Sequence, residues 1–168
     1  MTTDSKSVDD SPVCLTLAPV HVSSLARLFD RLREAGAEDF FHPHPLTAQE
    51  ADDRAKYSGR DFYCVMTRHD EVIGYGMLRG WDEGYDVPSL GIALDPSMTG
   101  RGYGKMLMNF LHDTARKRGA AKLRLKVDRR NQPAINLYRS LGYKLEEQSD
   151  GQLIGFLDLP PDGPRQNQ

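Results

Sequence analysis

Ser89-Leu90-Gly91-Ile92-Ala93-Leu94-Asp95-Pro96-Ser97-Met98-Thr99-Gly100-Arg101-Gly102-Tyr103-Gly104-Lys105-Met106-Leu107-Met108 passes through several characters in one short run. It reads as an apolar strand, a turn at Asp95-Pro96, a glycine-rich loop, and the start of an amphipathic helix. Glycines at the alternate positions Gly100, Gly102 and Gly104 let the backbone bend tightly and come close to a bulky ligand. The loop feeds a helix N-terminus, where unpaired N–H groups and the positive end of the helix dipole favour an anion. Arg101 and Lys105 add positive charge at the same place. The expectation is a cradle for phosphate or pyrophosphate.

The rest of the composition limits what such a cradle can serve. At 168 residues the chain suits one domain, read here as residues 12–160 between a disordered tail (1–11) and a flexible tail (161–168). A net charge of -2 argues against general affinity for nucleic acid or anionic membrane. No apolar run approaches the roughly 20 residues needed to span a bilayer. The N-terminus lacks the basic-then-apolar pattern of a secretory signal. Cys14 and Cys64 are too few and too far apart for a disulfide framework or a zinc site, and both sit in apolar strand-like runs. Buried free thiols and a cytoplasmic location follow, with no metal expected.

Outward from the glycine loop, the chain alternates strand and helix patterns. Val13 to Val20 reads as a first strand ending at Pro19. Leu25, Leu28, Phe29 and Leu32 then mark a helix, with Ser23 or Ser24 as cap and Gly36 as stop. Thr47-Ala48-Gln49-Glu50 fits a capping box for a second helix through about Tyr57. Asp61–Thr67 and Val72–Leu78 form a hairpin around Arg68-His69-Asp70-Glu71. In the helix after the glycine loop, Tyr103, Leu107, Phe110, Leu111 and Thr114 share one face, while His112, Asp113, Arg116 and Lys117 mostly face water. Ala121 to Val127 alternates as a half-buried strand, and Asn131 caps a helix with Pro133 in its first turn. Tyr143–Leu145 and Leu153–Leu159 are the last strands. The order β-α-α-β-β-β-α-β-α-β-β predicts a mixed three-layer α/β sandwich: a mostly antiparallel central sheet flanked by helices.

Two segments together resemble the GNAT superfamily of N-acetyltransferases. The glycine loop is similar to the family's Arg/Gln-x-x-Gly-x-Gly/Ala element. Asn131, Ala134, Tyr138, Gly142 and Tyr143 match its Asn-x-x-Ala-x-x-x-Tyr-x-x-x-Gly-Phe/Tyr segment at every spacing. One position departs: the family's leading Arg or Gln falls on Thr99, which offers a hydroxyl and a backbone N–H instead of a long side chain. The resemblance implies acetyl-coenzyme A as co-substrate and transfer of its acetyl group to a primary amine by direct attack in a ternary complex. It also implies a homodimer.

Carried over residue by residue, the resemblance gives Ile92, Ala93 and Leu94 backbone pairing with the pantetheine arm. An N–H of that strand would polarise the thioester carbonyl. Thr99, Gly100, Arg101, Gly102, Tyr103, Gly104 and Lys105 would hold the pyrophosphate. Asn131 and Ala134 would approach the pantetheine or phosphate part, Asn131 doubling as a helix cap. Tyr138 would protonate the departing thiolate, although its place on an apolar stripe also suits packing. The attacking ammonium, with a pKa near 10, must first lose a proton. Glu83 is the preferred base, with Asp82, Asp86, His42 and His44 as further candidates on loops expected to border the acceptor. Phe41, His42, Trp81 and Tyr85 are expected to line the acceptor pocket, Trp81 and Tyr85 equally suiting the core edge. Those acidic loops point to a small cationic amine, amino sugar or amino acid derivative. The alternatives are a protein N-terminus or lysine as acceptor, or a catalytically silent acyl-coenzyme A sensor. A nucleotide-binding P-loop fits poorly, because the Gly-Lys-Ser/Thr ending is missing.

Overall fold

The computed structural model describes residues 9–161, so most of both expected tails lies outside the described residues. The elements are β1 (Val13–Thr16), α1 (Val22–Glu34), α2 (Ala48–Ala55), β2 (Phe62–Arg68), β3 (Glu71–Arg79) and β4 (Ser89–Leu94). They continue with α3 (Tyr103–Lys117), β5 (Lys122–Asp128), α4 (Gln132–Ser140), β6 (Lys144–Glu147) and β7 (Gln152–Asp158). The order is the one the sequence predicts. Together the strands form one seven-stranded sheet in the order β1-β2-β3-β4-β5-β7-β6. Every neighbouring pair is antiparallel except β4 and β5.

A separate apolar cluster forms on each side of the sheet. On one side Leu25, Leu28, Phe29 and Leu32 of α1 pack on Tyr63, Val65, Val72, Tyr75 and Met77. On the other, Leu107 and Leu111 of α3 and Ile135 of α4 cover Cys64, Leu78, Leu123, Leu125 and Val127. Isolated helices as short as these are marginal in water, so burial holds them: each enclosed Leu contributes about 2 kcal/mol. The β2–β3 hairpin closes through His69 and Asp70, whose φ angles of 51° and 60° are those of a two-residue turn matched to strand twist.

Several local expectations are corrected. β1 stops at Thr16, because Pro19 opens a 3-10 turn through His21. Neither Ser23 nor Ser24 caps α1: the helix begins at Val22, and Ser24 is buried within it. Its hydroxyl accepts from the Val72 N–H at 2.8 Å and donates to Glu71 at 3.0 Å, fixing α1 to the hairpin instead. Thr47 does cap α2 by accepting from the Glu50 N–H at 3.1 Å. His112 does not face water. It is buried, with Nε2 2.8 Å from the Tyr143 hydroxyl, because Tyr143, three residues beyond α4, packs over that turn of α3. Burial holds its imidazole down to about 4, so it is neutral at physiological pH.

Candidate active site

β4 and β5 meet at a single residue pair, Ser89 with Arg124, and then diverge. β4 keeps its full register with β3, from Arg79–Ser89 to Gly74–Leu94, so the edge facing β5 is left open beyond Ser89. The split opens a cleft of about 1440 Å³, above the roughly 300–1,000 Å³ usual for one small ligand. Ile92, Ala93 and Leu94 line it, as do Ala134, Leu137 and Tyr138 of α4.

The glycine loop lies at the diverging end. Gly100 and Gly102 adopt φ of 75° and 82°, a left-handed conformation that side chains resist. Gly104 serves a different purpose: its φ is ordinary, and an added Cβ would sit 3.2 Å from Leu137, so it lets α4 approach α3. Among the described residues, no backbone N–H from Thr99 through Lys105 donates to a protein acceptor. Gly102 caps α3 without a side chain, leaving the first-turn N–H groups unspent. Such a run of free donors at a helix start is an anion cradle, and the pyrophosphate of coenzyme A fits it. The Thr99 hydroxyl donates to the Pro96 carbonyl at 3.1 Å, so this residue offers the cradle only its N–H. Lys105 lines the cleft; Arg101 is exposed outside the lining.

What precedes the loop is fixed firmly. Asp95 is buried and accepts from the Ser97 N–H at 3.0 Å and from Arg31 Nε at 2.7 Å. Its own N–H donates to the Ile73 carbonyl at 2.7 Å. Burial alone would raise this carboxyl, but the Ser97 and Arg31 bonds outweigh it and hold the group below its usual range. The turn is thereby tied to α1 and β3, and the cradle inherits that position.

Tyr138 has a buried ring, 5.9 Å from that of Tyr143, and burial pushes its hydroxyl up to about 12. That hydroxyl has no hydrogen-bond partner among the described residues, yet it is not sealed from solvent. It therefore keeps its proton at neutral pH and presents it to the cleft it lines. Asn131 accepts from the Ala134 N–H at 3.4 Å, so its cap is real and its amide NH2 is unspent.

The expected acceptor residues divide. Phe41, His42, Glu83, Tyr85 and Asp86 line the cleft. Trp81 does not: it is 8% exposed in the core cluster, with Arg118 over its ring at 5.2 Å. Asp82 is turned away to bind the Tyr57 hydroxyl and, at 2.7 Å, the Arg60 N–H. His44 sits among Phe29, Phe41 and Tyr75, its Nε2 2.9 Å from the Tyr75 hydroxyl; burial lowers its pKa. His42 and His44 thus lie apart in role, one on the cleft and one in the core. Neither cysteine lines the cleft, and burial pushes both thiols up. The sequence reading missed Arg79, Arg124, Lys126, Phe40 and Phe156, all of which line it. The alternation of Arg124 and Lys126 with Leu123 and Leu125 was a signal that one strand face is polar. Only the topology turns that face into a wall of the cleft.

A seven-stranded mixed sheet with one split parallel pair thus opens onto an unspent anion cradle. The chain belongs to the acetyltransferase (GNAT) family, whose pattern matches residues 29–143. It is similar to an uncharacterised protein of Mycobacterium leprae, 32% identical over 146 residues, covering 84% of this chain and 38% of that protein. It is also similar to the mycothiol acetyltransferase of Thermobifida fusca, 34% identical over 128 residues, covering 76% of this chain and 37% of the relative. The matched part thus spans less than two fifths of these relatives' length. The crystal structure of the ribosomal-protein-S18-alanine N-acetyltransferase from Escherichia coli shares the fold, with a TM-score of 0.68 at 22% identity over 94% of this chain and all of that one. Among the described residues no helix is long and apolar enough to cross a membrane.

Proposed function

We propose that this chain moves an acetyl group from acetyl-coenzyme A to a primary amine by direct attack, both substrates being bound together in the cleft. The observation that carries this reading is the β4–β5 split opening straight onto the unspent N–H groups of Thr99 to Lys105. Acetyl-coenzyme A supplies an activated thioester. The loop N–H groups and Lys105 hold its pyrophosphate, with Arg101 adding field from outside. The open edge at Ile92, Ala93 and Leu94 pairs with its pantetheine amides, and one of those N–H groups polarises the acetyl carbonyl. Asn131 and Ala134 flank the same arm.

Tyr138 stands as the general acid. Its retained proton passes to the sulfur as the C–S bond breaks and the new C–N bond forms. Glu83 takes the proton that the ammonium must lose; it lines the cleft while Asp82 and His44 are spent elsewhere. Phe41, His42 and Tyr85 bound the acceptor. The acceptor is a small amine, amino sugar or amino acid derivative, and residence in the cytoplasm is part of the same reading. A protein N-terminus is the second reading, favoured by the cleft volume of about 1440 Å³ and by the substrate in the name of the E. coli structural neighbour.

Calorimetry with acetyl-coenzyme A, followed by an acceptor screen reading the released thiol, tests this directly. Binding of acetyl-coenzyme A and turnover lowered about a hundredfold in Tyr138→Phe are expected. Absence of binding ends the reading. Binding without turnover of any amine or peptide, with Tyr138→Phe indistinguishable from the parent, identifies a silent acyl-coenzyme A sensor instead.

A further inference from the structure

Arg124 stands in an unusual electrostatic position. It belongs to β5 at the residue that pairs with Ser89, the last contact before the strands separate, so it marks the closed end of the cleft. Its neighbours Leu123 and Leu125 are buried in the cluster beneath α3 and α4. Because strand side chains alternate, Arg124 and Lys126 project to the opposite face. That is the face carrying Met77 and Ala93, the side of the split reached without crossing α3.

The guanidinium there has no partner. Among the described residues its side chain makes no hydrogen bond or ion pair, and its Nε is buried without an acceptor. The acids that share the cleft are not available to it. Asp150 lies 3.7 Å from Lys126, and neither Glu83 nor Asp86 forms an ion pair with Arg124. The other basic group at this end, Arg79, already donates to the Pro43 carbonyl at 2.7 Å. Arg124 is half-buried, with its Nε enclosed and unmatched, and an anion that arrives with a ligand would satisfy that donor.

The anion is not the pyrophosphate. At about 3.3 Å per residue, β4 carries the chain about 16 Å from Ser89, the partner of Arg124, to Leu94 before the glycine loop begins. The required anion therefore belongs to the acceptor. Beside Arg124 in register lies Phe156, 40% exposed, and the cleft lining adds Tyr85, 62% exposed. These are apolar surfaces flanking a planar, forked donor suited to a carboxylate.

We propose that Arg124 recognises a carboxylate on the acceptor, and hence that the acceptor is an amino acid-type molecule: a primary amine, a nearby carboxylate and an apolar side group. This rests on the acetyl-transfer reading above and narrows it. The wall of the cleft is mixed in charge, with Glu83 and Asp86 facing the ammonium and Arg124 facing the carboxylate. A purely cationic polyamine leaves Arg124 unmatched.

The test uses two arms on the purified full chain. In the first, N-acetylated amino acids with apolar, polar and acidic side groups, and their methylamides, are titrated calorimetrically in the presence of coenzyme A. In the second, free amino acids and their amides are compared as acceptors by thiol release. The carboxylate forms should bind at least about tenfold more tightly than the amides. Arg124→Gln should erase that difference, Arg124→Lys should restore part of it, and the affinity for acetyl-coenzyme A should stay unchanged in both. The inference is overturned if no carboxylate form binds, if the amides bind equally well, or if Arg124→Gln keeps the preference. Carboxylate-selective binding with no turnover would instead sink the acetyl-transfer reading and leave the recognition site standing.

Discussion

At the glycine-loop end of the cleft, the contacts come from one unbroken run of backbone, Thr99 to Lys105. At the closed end they come from side chains on separate segments, Tyr85, Arg124 and Phe156. On the proposed reading the first end recognises a group that every acyl-coenzyme A carries, for which a backbone nest with two left-handed glycines suffices. The second must distinguish one amine from another, which needs specific side chains brought together by the sheet. Tyr138 sits between the two, lining the same cleft.

Tyr138→Phe is the largest blow to this division. The lost proton donor should lower kcat by about a hundredfold, within the range for general acids, with little change in KM for either substrate. Steady-state kinetics check it, and a KM effect without a kcat effect would move Tyr138 into one end or the other. Gly102→Val comes next. A β-branched residue at φ 82° is strained, and the cradle should open at a cost of about tenfold in acetyl-coenzyme A affinity. Acceptor KM should not move; if it does, the two ends are not independent.

A smaller effect concerns the support beneath both ends. The His112 imidazole is held down to about 4, below its ordinary 6.5, by burial beside Tyr143. Between those values the unfolded chain binds the proton and the folded chain does not. The stabilisation is therefore full above pH 6.5 and is lost as pH falls toward 4, by about 2 kcal/mol after allowance for solvent screening. Urea melts across that window should show the decline, and His112→Gln should flatten it. Last, Trp81→Phe should lower stability modestly and leave the acceptor KM untouched, because Trp81 lies in the core under Arg118. A changed acceptor KM would return Trp81 to the pocket wall.

The same contrast explains which features were readable from the chain. The order of elements follows from local periodicity, and the glycine loop and the Asn131–Tyr143 segment are contiguous, so both were visible. Ser24 was misjudged because a serine near a helix start has the chemistry of a cap, and only the distant hairpin at Glu71 and Val72 claims its hydroxyl. His112 looked solvated because it leads into the polar run of Asp113, Arg116 and Lys117, whereas its burial comes from Tyr143. Asp82 and His44 have partners, Tyr57 and Tyr75, that only tertiary structure supplies. Arg124 went unremarked for the same reason: alternation says that it leaves the core, not what it then faces.

The lone Ser89–Arg124 pairing has a further consequence for the fold as an elastic body. It is a fault line between a four-strand block, β1 to β4, and a three-strand block, β5, β7 and β6. Among the described residues no other strand pairing crosses it, so amides along the facing edges of β4 and β5 should exchange with solvent faster than those on their paired edges. A ligand seated between those edges would weld the blocks, slowing exchange there first and raising the melting temperature with ligand concentration.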